Sequence, residues 1–168
     1  SQAQVSFTNA NSKLSATDIH SGCPTAVVDV NGDGLDDIVR LDQAHMLYID
    51  YQRPGLQFSH TYIGDFGGGV SWAWGLCVAD VDHNGIKDIV AGGVGPAVKI
   101  FKMNDVGSAG TLYSLPASNF FLQNINFADI NNDGWEDIFG CDDNAENHIW
   151  LNNGSGNFIV SNIIDFDV

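Results

Sequence analysis

Nine aspartates and three asparagines recur at one spacing in three places along this chain. With the leading aspartate as position 1, positions 1, 3, 5 and 9 are Asp29, Asn31, Asp33 and Asp37 in the first copy. They are Asp80, Asp82, Asn84 and Asp88 in the second, and Asp129, Asn131, Asp133 and Asp137 in the third. Position 6 is always glycine (Gly34, Gly85, Gly134), and position 7 is always apolar (Leu35, Ile86, Trp135). Side chains that offer only oxygen, crowded this way, suit a hard cation. Ca²⁺ takes roughly six to eight oxygen ligands and tolerates irregular geometry. Side chains at 1, 3 and 5 converge if the backbone curls, and a glycine at 6 permits the curl because it accepts positive φ. The residue at 7 would lend its backbone carbonyl while its side chain anchors the loop. The aspartate at 9 would close the shell. The spacing therefore predicts three Ca²⁺ sites, held by the side chains at 1, 3, 5 and 9 and the carbonyls of Leu35, Ile86 and Trp135. Without a cation, three carboxylates per loop would repel one another.

Two other readings of the loops are weaker. An EF-hand needs a glutamate at position 12 and a helix on each side. Position 12 is Arg40, Ala91 or Gly140, and the flanks read as strands. Solvated Asp/Asn/Gly turns would explain one loop but not three in register. Mg²⁺ fits less well, because it keeps more of its water. In the second loop His83 stands at position 4 and Asn84 at position 5, so weaker binding is expected there.

The loops recur with periods of 51 and 49 residues. Each is bracketed by short apolar runs. The runs before the loops are Ala26 to Val28, Leu76 to Val78 and Ile125 to Phe127; those after are Ile38 to Val39, Ile89 to Ala91 and Ile138 to Phe139. A third strand follows at Met46 to Ile49, Val98 to Phe101 and His148 to Leu151. A fourth is expected around Phe58 to Ile63, Leu112 to Leu115 and Phe158 to Ile164, the last after the tight-turn sequence Asn153-Gly154. Four antiparallel strands per unit of about 50 residues is the arithmetic of a β-propeller blade. The fold class predicted is all-β, with about three four-stranded blades; a stacked solenoid is the alternative. The repeats are placed at approximately 15–63, 66–116 and 117–164, with residues 1–14 as the closing strand of a preceding unit.

Composition supports strands and turns. Of 21 acids, 19 are Asp and only Glu136 and Glu146 are Glu, beside 19 glycines. Asp and Gly favour turns over helices. Six cations against 21 acids, with a formal charge of −15, exclude a nucleic-acid partner, which needs a basic surface. No membrane span is expected, since no uninterrupted apolar run approaches about 18 residues. Cys23, Cys77 and Cys141 lack zinc-type spacing; Cys77, in an apolar run, reads as a core thiol.

These loops resemble the calcium loops of FG-GAP/VCBS repeats, the blades of integrin α-type β-propellers, at 29–37, 80–88 and 129–137. The segment from Leu151 to Phe158 also resembles the strand-turn-Phe ending of VCBS units. The resemblance implies a secreted or cell-surface module that recognises a protein or glycan, with Ca²⁺ in a structural role. A part of a polysaccharide-active enzyme, or a structural spacer of a large surface protein, are the alternatives. No catalytic residues are assigned, as no nucleophile elbow, HExxH or phosphate loop is present. Family propellers usually have about seven blades, so the remaining blades of a longer chain, or self-association, are the expected partners. Trp72 and Trp74 alternate along one strand and are the candidate ligand-binding residues, with packing between blades as the plainer alternative.

Overall fold

The computed structural model describes residues 8–14, 24–67, 72–95, 98–104, 106–117 and 120–161, with the backbone alone for Trp72 and Phe120. Among these, twelve strands make three antiparallel four-stranded units. The first contains β1 (Thr25–Val28), β2 (Asp37–Leu41), β3 (Met46–Arg53) and β4 (Gln57–Asp65). The second contains β5 (Trp72–Ala79), β6 (Asp88–Gly95), β7 (Lys99–Met103) and β8 (Gly110–Ser114). The third contains β9 (Phe120–Ala128), β10 (Asp137–Asp142), β11 (His148–Asn152) and β12 (Phe158–Ser161). Strands pair in chain order within each unit, and a short ladder, Val94 with Phe121 and Gly95 with Phe120, also joins β6 to β9. These are propeller-type blades, and each carries its acidic loop between its first two strands.

The blades pack face to face through two apolar layers. Val39, Leu41, Leu47, Ile49 and Ile63 of the first unit meet Ile89, Ala91, Phe101 and Met103 of the second. Val90, Val98, Ile100 and Leu115 of the second meet Leu122, Ile125, Ile138 and Trp150 of the third. Both faces of the middle unit are therefore buried. That is why β6 reads as a continuous apolar run rather than an alternating one: its first six residues are all buried. The first strands line up side by side, β1 beside β5 and β5 beside β9.

Two sequence-based expectations meet the structure differently. Residues 11–13 form a 3-10 turn, not strand, and Asn11 N–H donates to Asn9 Oδ1 at 2.9 Å. Asn and Ser offer the backbone such local bonds in place of a ladder. Residues 1–7, where the rest of the expected leading strand would run, lie outside the described residues. Trp74 is the extra residue of a β-bulge between Ala73 and Gly75, so simple alternation with Trp72 does not hold. Its ring sits edge-on to Phe121 of the third unit, 5.1 Å between centroids, as the packing alternative requires.

Gly75 marks a close approach of the second and third blades, backbone against backbone. A Cβ there would lie 2.9 Å from the Ile125 backbone nitrogen and 2.8 Å from its Cγ2. The Gly75→Ala variant is therefore expected to lose about 1–3 kcal/mol by overpacking. Urea unfolding of that variant beside wild type measures the loss, and an unchanged midpoint would contradict this seam.

Candidate metal centre

The three loops fold alike. The position-1 carboxylate gathers backbone amides: Asp29 accepts from Gly32 (2.8 Å), Asp33 (3.1 Å) and Gly34 (2.8 Å). Asp80 accepts from Asn84 (3.0 Å) and Gly85 (2.9 Å), and Asp129 from Asp133 (3.0 Å) and Gly134 (2.9 Å). Position 5 turns the chain toward position 7: Asp33, Asn84 and Asp133 accept from Leu35, Ile86 and Trp135 at 2.8–2.9 Å. The expected glycine at 6 is left-handed in every copy, with φ of +84, +91 and +90°. Position 4 is left-handed too, at Gly32, His83 and Asn132. His83 takes this uncommon conformation with its ring stacked on Trp135 of the next loop, 4.0 Å between centroids.

Position 9 carries a role that the spacing alone did not reveal. Asp37, Asp88 and Asp137 are fully buried. In each, Oδ2 accepts the position-2 amide of its own loop at 3.0 Å: Val30, Val81 or Ile130. The other oxygen accepts an amide fifteen residues on, in or at the end of the third strand. The donors are Gln52 (2.9 Å), Met103 (2.7 Å) and Asn152 (2.8 Å). This aspartate ties the loop to the sheet before it does anything for a metal.

The second loop is the most tightly gathered. Among the described residues, Asp80, Asp82 and Asp88 are the one set of three acidic ligands whose oxygens lie within 4.8 Å of one another. Asp82 Oδ1 is buried without a hydrogen-bond partner. An orphaned carboxylate oxygen beside two others is a fit for a cation. Position 3 is Asn in the other loops, and there Asn31 and Asn131 donate to Asp33 and Asp133 instead (3.2 and 2.8 Å). Burial pushes the Asp88 carboxyl up to about 7, and the Asp82 and Asp80 charges push the same way. Burial also raises Asp37, with Asp33 and Asp29 adding.

The first two loops are each covered by the turn between the third and fourth strands of the next unit. Gly107 of the second unit lies over Asn31, and Gly156 of the third lies over Asp82: a Cβ on either would come within 3.5 and 3.0 Å of the Cβ below. Position 2 records the consequence. Val30 and Val81 are 0% exposed, whereas Ile130 in the third loop is 37% exposed.

A second cluster went unnoticed in the sequence. Asp50, fully buried, pairs with Arg40 and lies 2.8 Å from His60 Nδ1, on the outer face of the first unit. Tyr48 stacks on His60 at 4.9 Å. Aligning the repeats gives the signal: Asp50 stands where Phe101 and Trp150 do, and Arg40 where Ala91 and Gly140 do. Cys77 and Cys141 are free thiols; Cys23 lies outside the described residues.

Residues 29–91 match the FG-GAP-like repeat family. This segment is an FG-GAP-like repeat. It spans the first two acidic loops, and the third, beyond the match, repeats their hydrogen-bond plan. Comparison with curated proteins finds no relative of the chain.

Two outcomes follow for the buried aspartates. Asp137→Asn keeps one acceptor oxygen where two amides need one, so a loss of about 1–3 kcal/mol is expected by urea denaturation, and more for Asp137→Ala. Asp88 gives a pH dependence. Its folded value, about 7, lies above the unfolded value of about 3.9, so between these the folded chain holds the extra proton. That stabilisation is complete below about pH 3.9 and is lost as pH rises through about 7. In chelator, wild type should therefore gain stability relative to Asp88→Asn on acidification from pH 8 to 5. A pH-independent difference between the two would refute it.

Proposed function

We propose that the chain is an extracellular recognition module of β-propeller type whose acidic loops bind Ca²⁺ as structural ions, one per unit. The observation that carries this is the second loop, where Asp82 presents a buried, unpartnered oxygen beside Asp80 and Asp88. There Asp80, Asp82, Asn84 and Asp88, with the Ile86 carbonyl, would hold the ion. The residues at the same positions would hold it in the first and third loops. The ion supplies positive charge that offsets the repulsion within each loop and fixes the loop against the sheet. The FG-GAP-like match over 29–91 supports an extracellular repeat of this kind. Among the described residues, no helix is long and apolar enough to cross a membrane. The half-exposed Tyr113 beside Lys102, at the edge of the second seam, favours a binding role over a passive spacer.

Calcium at about 100 times its Kd should add about 2.7 kcal/mol per site. For a chain of this size that is about 5–10 °C in melting temperature per ion. Calorimetric titration of chelator-treated protein should count three ions, with Asp82→Ala removing one. Melting that ignores both calcium and chelator would overturn the proposal.

A further inference from the structure

The two seams between blades are built from equivalent residues but end differently. At the first, the Tyr51 hydroxyl donates to the Gly107 carbonyl of the next unit, and Tyr51 is buried. At the second, the equivalent of Tyr51 is Lys102 and the equivalent of Gly107 is Gly156. Lys102 Nζ approaches Gly156 so closely that a Cβ on it would lie 2.8 Å away. Lys102 has no carboxylate within salt-bridge distance among the described residues, although the chain carries 21 acids. Its ammonium lies 5.3 Å from the centre of the Tyr113 ring, which is 47% exposed. Beside them opens a pocket of about 500 Å³, lined by Asp82, Lys102, Asn104, Thr111 and Tyr113.

We infer that this seam pocket binds an acidic saccharide, with a uronate residue as the unit recognised. This names the ligand of the recognition module proposed above and rests on that reading, though not on its calcium part. Tyr113 offers a flat, half-exposed ring for stacking against the apolar face of a sugar. Lys102 offers an ammonium to the uronate carboxylate, in a charge-assisted bond stronger than a neutral one. Thr111 and Asn104 offer hydroxyl and amide groups to ring hydroxyls. Lys102 and Thr111 are cross-strand partners, as are Ile100 and Tyr113, so lysine, threonine and tyrosine share one sheet face. Met103 and Ala109 add an apolar part to the lining, so an acidic peptide is the competing ligand that the titration must separate from the saccharide. Asp82 lines the same pocket and its charge opposes an acidic ligand, so the uronate carboxylate must sit on the Lys102 and Tyr113 side; the rest of the −15 charge, where it lies more than about 8 Å away, is screened at physiological salt. Among the described residues, Tyr51 closes the first seam at the equivalent place. The pocket is thus a departure of one unit from the repeat.

The test is titration of the full chain with a trigalacturonate probe, a neutral galactose trisaccharide and a hexaglutamate peptide, each with calcium and with chelator. The expected result is uronate binding to wild type, at least about tenfold tighter than to the neutral sugar. Lys102→Met and Tyr113→Ala should each weaken it by about tenfold with melting temperature unchanged, while Tyr51→Phe, at the closed seam, leaves it intact. Equal affinity for the neutral sugar, undiminished binding by Lys102→Met, preference for the peptide, or no uronate binding would each overturn the inference. Unchanged melting on chelation would count against structural calcium alone; uronate binding that persists there and still needs Lys102 supports the pocket.

Discussion

The buried aspartate at the end of each acidic loop is the contact on which the rest depends. One carboxylate holds two amides from different parts of the chain, one in its loop and one in or at the end of the third strand. Buried charge is costly, and hydrogen bonds to the charged form are what make it tolerable. Here they also set the register between loop and sheet, while the position-5 groups of all three loops stay exposed. A metal acting on these loops would find a scaffold already assembled by that clamp. The second loop shows the cost: Asp88 has the same two amide bonds, yet burial and two neighbouring carboxylates still raise it to about 7.

Repetition within one chain allows each feature to be compared with its own copies. Loop and following turn meet twice in the same way, Asn31 under Gly107 and Asp82 under Gly156. What differs is the third-strand side chain beside them. A tyrosine whose hydroxyl reaches the next unit's carbonyl completes the first seam, while a lysine leaves the second polar and open. A single exchange at an equivalent position thus decides whether two blades are sealed or present a pocket.

The outer faces of the first and third units are chemically unlike. The first carries Arg40 and Asp50 where the second and third units have Ala91 and Gly140, and Phe101 and Trp150, with His60 beside them. The third leaves Ile130 and Ile159 exposed, by 37 and 59%.

Much of this was legible in the residues. Period, strand content, the glycine at position 6 and the acidic loop between the first two strands all follow from local chemistry: turns need Gly and Asp, and strands need apolar runs. The spacing also pointed to fifteen loop residues as candidate ligands, and among the described residues the structure gathers Asp80, Asp82 and Asp88 into one acidic cluster. Three things needed the tertiary structure. Which aspartate is a structural clamp depends on amides fifteen residues away. The bulge at Trp74 lies beside the close approach of β5 to β9 at Gly75, a contact between units that no local propensity encodes. The opening beside Lys102 exists only because the third unit's turn lies over the second unit's loop, a contact between segments some 70 residues apart in sequence, as in the Asn152 to Val81 hydrogen bond, 71 residues apart. Sequence sets what each segment can become; packing between blades decides which of its oxygens, amides and ammonium groups are left for a ligand.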